Sequence, residues 1–229
     1  MQKGAFVSYY TRVLSKDSEF PSLHELSERL RAHHPDYRLT VEEGSLDESS
    51  LEESSLDESN EAEWESLLLI GTDGVEVAVL ERHPVYDGSI GQDEIADFLE
   101  DLADAKPEAN VEWLKEYLGS VETIYAFQHL QGAETVDGSN ALHALRTALW
   151  ERGDAILQAD LEGFTNEEGY HIVWQFSDSV SGPWNMAVLQ DATWHHFTMD
   201  LGDPDHRAAF LSGEAPADLP AKPSAGRHD

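Results

Sequence analysis

Residues 157–200, LQADLEGFTNEEGYHIVWQFSDSVSGPWNMAVLQDATWHHFTMD, carry the pattern that decides the fold class. Leu157, Ala159 and Leu161 alternate with Gln158, Asp160 and Glu162, which predicts a half-buried strand with one apolar and one polar face. After a turn at Thr165 to Gly169, Tyr170, Ile172, Trp174 and Phe176 alternate with His171, Val173 and Gln175. Trp184 to Gln190 and Trp194 to Asp200 continue the alternation around a turn at Asp191-Ala192. Short period-two runs joined by turn residues predict an antiparallel meander.

Helices and further strands flank this meander. Upstream, Ser139 reads as the cap of a helix bearing Leu142, Leu145 and Leu149, preceded by a strand over Thr123 to Leu130. Downstream, Asp203 as cap and Pro204 as first helical residue open a helix ending at Gly213. Towards the N-terminus, Ala5 to Leu14 reads as a strand, and Ser22 with Glu25 forms a capping box for a helix carrying Leu23, Leu26 and Leu30, stopped by Pro35. Tyr37, Leu39 and Val41 alternate as a short strand. Trp64 to Ile70 and Val75 to Arg82 form a hairpin through Gly71-Thr72-Asp73-Gly74. Ile95, Phe98, Leu99 and Leu102 follow helical spacing towards Pro107, with Gly88-Ser89-Ile90-Gly91 as the loop before them. Val111 to Leu118 forms a helix opened by Asn110 and closed by Gly119.

The element order predicts an α+β fold of largely antiparallel sheets with helices packed on one face. Two related β-α-β-β-β-α halves are expected, residues 1–119 and 120–213, able to share one sheet, followed by a flexible tail over 214–229. The first half includes an acidic loop over 42–63. Its SLDES, SLEES, SLDES repeat has a period of five, which suits neither helix nor strand and predicts a solvated, disordered segment.

The 229 residues contain 46 Asp and Glu against 14 Lys and Arg, for a formal net charge of −32, and no cysteine. The acidic loop holds ten of those acids and no base, so the excess extends over the rest of the chain. A surface this acidic suits concentrated salt, where the Debye length of about 3 Å screens its self-repulsion. At lower salt the same surface would steer onto a basic protein partner, as an inhibitor or immunity-type protein does. Direct binding to nucleic acid or to an anionic membrane is not expected, because the basic footprint is missing. The absence of cysteine excludes disulfides, thiol nucleophiles and cysteine metal sites. No leader-like or membrane-length apolar run is present, so a soluble cytoplasmic protein is the expectation.

The common phosphate-loop, dinucleotide, serine-elbow and zinc-protease motifs are absent, and no cofactor is expected. Three constellations remain. Asp160 and Glu162 on one strand, with His171 on the return strand, would form a carboxylate pair and histidine for hydrolase-like acid-base chemistry, with or without a metal. His196, Asp200 and His206 have the ligand types for a metal, although the adjacent His195 and His196 must face opposite ways. Trp184 and Trp194, with Gln158 and Gln175, offer a ligand or partner surface. Between these, the sequence favours a non-catalytic binding or interaction protein, with the hydrolase as the alternative.

Overall fold

A computed structural model describes residues 9–41, 64–177 and 179–224. The acidic loop expected over 42–63 lies outside the described residues, as do residues 5–8 of the expected first strand and the last five residues of the expected tail. The described elements run β1 Tyr10–Ser15, α1 Leu23–His33, β2 Tyr37–Val41, β3 Ser66–Gly71, β4 Glu76–Pro84, α2 Ile90–Asp101, α3 Glu108–Leu118 and β5 Thr123–His129. A short 3-10 turn at Gln131–Glu134 leads to α4 Val136–Trp150, then β6 Ile156–Ala159, β7 Gly163–Thr165, β8 Pro183–Gln190, β9 Thr193–Asp200, α5 Pro204–Leu211 and β10 Lys222–Pro223.

The protein is α+β. Seven strands form an antiparallel sheet in the order β2-β3-β4-β5-β1-β6-β7, and β10-β9-β8 form a second, smaller one. The strand that begins the described chain is therefore interior to the large sheet, between β5 and β6. Its sequence explains this position: Val13 and Leu14 are consecutive and both fully buried, which requires apolar cover on both faces. The sheet thus runs continuously across residue 119. Val13, Leu80 and Phe127 pack with Leu26 and Leu30 of α1 and Leu142, Leu145 and Leu149 of α4. On the opposite face, Leu14, Ile124 and Ile156 pack with Ile95 of α2 and Val111, Leu114 and Leu118 of α3. The helices thus cover both faces of the large sheet rather than one.

The small sheet is similarly two-faced. Ala187 of β8 joins the α2/α3 core, whereas Met186, Val188, Phe197 and Met199 form a third core with Phe176 and with Phe210 of α5. The β8–β9 hairpin turns at Asp191 and Ala192, both at positive φ (48° and 59°), as a two-residue hairpin turn of the twisted type requires.

Several local expectations change. Tyr170 to Phe176 does not form a strand; only His171 makes isolated bridges, to Thr165 of β7 and Met186 of β8. Tyr170, Ile172 and Val173 contact the α2/α3 core while Trp174 and Phe176 contact the third, so the segment crosses between two cores. Helix α4 is capped by Thr135, whose Oγ1 accepts from the Gly138 amide at 3.0 Å, not by Ser139. Gly138 is needed there because a Cβ would lie 2.1 Å from the Gly132 carbonyl oxygen. Helix α2 ends at Asp101, well before Pro107, and its cap is Ser89, which places Ile90 and Gly91 inside the helix. Asn110 lies within α3, which starts behind Pro107, and is a buried connector instead of a cap. The segment after α5 is not loose as far as residue 224: Ala215 and Leu219 pack on the third core, and β10 pairs with β9.

Candidate binding cleft

The site is built on Arg12 of β1, whose neighbour across the sheet is Gln158 of β6. Arg12 Nη1 donates to Gln158 Oε1 at 2.7 Å and to Asp160 Oδ1 at 2.8 Å, and its Nε donates to Glu94 of α2 at 3.0 Å. The other Glu94 oxygen meets His83 Nδ1 at 2.9 Å, and Asp160 Oδ2 accepts from the Tyr10 amide at 3.0 Å. A chain of charges, His83–Glu94–Arg12–Asp160, thus ties β4, α2, β1 and the β6–β7 turn together. Burial alone would raise Glu94, but the His83 hydrogen bond and the Arg12 charge outweigh it and hold it below the usual carboxylate range. The same hydrogen bond to Glu94 raises His83 above the ordinary imidazole value.

Asp160 and Glu162 do not share a face. The expected alternation stops at Ala159, and Leu161 enters a turn at φ +66° with 83% of its surface exposed. Past that turn Glu162 is hydrogen-bonded to Tyr9 and lies in the field of Arg146 from α4, whereas Asp160 is held against Arg12. Burial raises Glu162, opposed by Tyr9 and Arg146, and burial followed by the Glu162 charge pushes Tyr9 up to about 12. Tyr9 stands edge-on to His129 at 4.8 Å, and His129 Nε2 lies 3.1 Å from Thr11 Oγ1.

His171 is separate again. It is 9% exposed, packs against Trp184 and Phe176 at ring distances of 4.9 and 5.2 Å, and is held by the Glu162 backbone. The three residues expected to form an acid-base set therefore have different partners: Arg12 for Asp160, Tyr9 for Glu162 and the Glu162 main chain for His171. The expected metal set is likewise dispersed. His196 stacks on Tyr170 at 3.9 Å with Glu168 3.6 Å from its Nδ1, Asp200 accepts from the Gly182 and Gly202 amides, and His206 meets Asp218 at 3.3 Å. Among the described residues, no group of three or more His, Asp or Glu side chains is arranged to hold a metal ion. Trp184 and Trp194 stand on opposite faces of the small sheet: Trp184 with the third core, Trp194 edge-on to Trp113 at 5.0 Å in the α2/α3 core.

What the fold does assemble is a cleft of about 660 Å³ lined by Tyr9, Asp101, Gln158, Ala159, Asp160, Leu161 and Gln175. Gln158, Gln175 and Asp160 were expected at a functional surface. Asp101 carries no such signal, because the α2 periodicity points on towards Pro107, and the alternation of Leu161 points to a core. The chain matches no family model, no curated protein and no solved structure. Function has to be read from the cleft itself. No helix among the described residues is long and apolar enough to cross a membrane.

The environment of His171 makes stability depend on pH in the acid range. Burial lowers its pKa from 6.5 to about 4, so the native state holds it neutral while the unfolded chain binds a proton below pH 6.5. Its contribution is complete above that pH and is lost as pH falls through 4, amounting to about 3 kcal/mol. His129, lowered to about 4 by burial and then by Arg146, adds to the same window. The thermal midpoint should fall as pH drops from 6.5 to 4, less steeply in His171→Phe. An unchanged slope in that variant would show that His171 is not the group responsible.

Proposed function

We propose that this chain is a non-catalytic binding protein that receives a basic side chain of a protein partner in the cleft between α2, the β6–β7 turn and Gln175. The composition of the cleft carries this reading. Among the described residues its lining offers two carboxylates, two carboxamides and a phenol and no lysine or arginine. Arg12, immediately behind it, is already paired with Glu94 and Asp160. Asp160 uses two of roughly four carboxylate acceptor positions on Arg12 and the Tyr10 amide, so it can still accept from a ligand.

The placement of Asp101 strengthens the preference for a cation. It is the last residue of α2, a helix with no basic residue in its last turn, so the negative end of the helix dipole adds to its charge. Asp and Gln side chains around a cleft can accept from an ammonium or guanidinium group, and the Gln amides can donate to neighbouring backbone carbonyls. The net charge of −32 would raise the encounter rate with a basic partner. The same acidic surface also suits a saline environment, in which screening would confine the interaction to the cleft.

Calorimetric titration with an arginine-rich peptide tests this. Binding should be measurable at low salt and weaken with added salt, and Asp101→Asn should lower affinity about tenfold, the effect of removing one charged hydrogen-bond partner. Equal affinity in wild type, Asp101→Asn and Gln175→Ala would mean that the peptide binds the acidic surface at large, and the cleft reading would fall.

A further inference from the structure

The turn beside the cleft contains a residue that the fold itself does not explain. The Glu162 amide donates to the Ala159 carbonyl at 3.1 Å, closing a four-residue turn in which Leu161 is the third residue, at φ +66°. That position of a turn favours glycine or asparagine, because a Cβ crowds the backbone at positive φ. Leucine therefore strains the turn, and with 83% of its surface exposed it receives little compensating burial from the other described residues. Backbone preference and core packing both argue against leucine here. It also lines the cleft that Asp101 and Asp160 make attractive to a cation.

We propose that Leu161 is a partner-contact residue, and that the mouth of the cleft accepts a protein segment in which a basic residue, held by Asp101 and Asp160, adjoins an apolar residue packed on Leu161. This rests on the binding reading above and narrows it from any cation to a basic-apolar sequence. A free polyamine or a single metal cation would use the carboxylates but leave Leu161 in water. A polypeptide supplies both groups at a fixed spacing, and burial of an exposed leucine against it is the larger source of discrimination.

The test compares two short synthetic peptides, one alternating arginine with leucine and one alternating arginine with serine, on wild type and Leu161→Gly. Wild type should bind the arginine-leucine peptide about tenfold more tightly, the equivalent of burying one apolar side chain. Leu161→Gly should bind the two peptides alike. It should also melt about 2–4 °C higher, because glycine relieves the turn. That combination of higher stability and lost discrimination is not what a merely structural leucine would give. Equal binding of both peptides by wild type would overturn the role of Leu161 while leaving the cation cleft standing. Discrimination that survives in Leu161→Gly would do the same. Failure of both peptides to bind wild type would overturn the cleft reading together with this one.

Discussion

Replacing Asn110 by alanine should destabilise the protein by about 4 kcal/mol, the largest loss expected from any single polar side chain here. Asn110 is fully buried within α3. Its Nδ2 donates to the carbonyls of Ile172 and Ala187 at 2.7 and 2.8 Å, and its Oδ1 accepts from the Leu189 amide at 2.8 Å. One amide side chain thus joins a helix of the large sheet to β8 of the small sheet and to the segment that crosses between them. Alanine would leave three backbone groups without these partners, each costing about 1–3 kcal/mol if water cannot replace it. For a chain of this size that corresponds to a fall of roughly 10 °C in the thermal midpoint. Chemical denaturation of Asn110→Ala checks this, and a cost under about 1 kcal/mol would mean the two sheets are held together mainly by their shared apolar core.

The second large effect is expected at Arg12. Arg12→Met keeps an unbranched apolar side chain but removes the guanidinium that lies over the Tyr10 and Phe98 rings and that Glu94, Asp160 and Gln158 share. With the Arg12 and Glu94 side chains only 14% and 21% exposed, a partly buried carboxylate would lose a guanidinium partner, at a cost of about 3 kcal/mol. A second readout separates this from simple loss of packing. The Arg12 charge lowers His83, working against the upward pull of Glu94, so His83 should titrate at a higher pH in the variant. An unchanged His83 titration together with a small stability loss would show that the charges do not act as one connected chain.

The sequence made visible whatever depends on neighbouring residues. Ser22 and Asp203 cap α1 and α5 as read, since a cap is a local hydrogen bond between residues a few positions apart. The β3–β4 and β8–β9 hairpins were legible for the same reason, with register fixed by the turn. Long-range partners were not legible. Nothing local says that β1 is inserted between β5 and β6, although the consecutive apolar Val13 and Leu14 were a sign of burial on both faces. Tyr170 to Phe176 has a period-two sequence pattern without strand pairing: His171, Ile172 and Val173 are buried in succession where the segment crosses between two cores.

The cleft was half legible. Gln158, Gln175 and Asp160 stood out as polar positions facing away from apolar neighbours, and the cleft includes all three. Glu162 and His171 were grouped with them on the assumption that the strand alternation continued through the turn. The positive φ of Leu161 breaks that alternation, and a leucine gives no local signal that the backbone will turn. Asp101 comes to the cleft because α2 ends there, well before Pro107. Asn110 was misassigned because a capping residue and a buried amide connector look the same in sequence. Only the position of Pro107 at the head of the helix separates the two.

The most direct measurement for the cleft is a titration of ¹⁵N-labelled protein with the arginine-leucine peptide, followed by nuclear magnetic resonance at low and then moderate salt. The side-chain amide signals of Gln158 and Gln175 and the backbone amide of Leu161 should move first and saturate together, and should still do so when salt has removed weaker shifts elsewhere. Small, unsaturating shifts spread over the acidic surface, with the cleft signals unmoved, would contradict a binding role for this site.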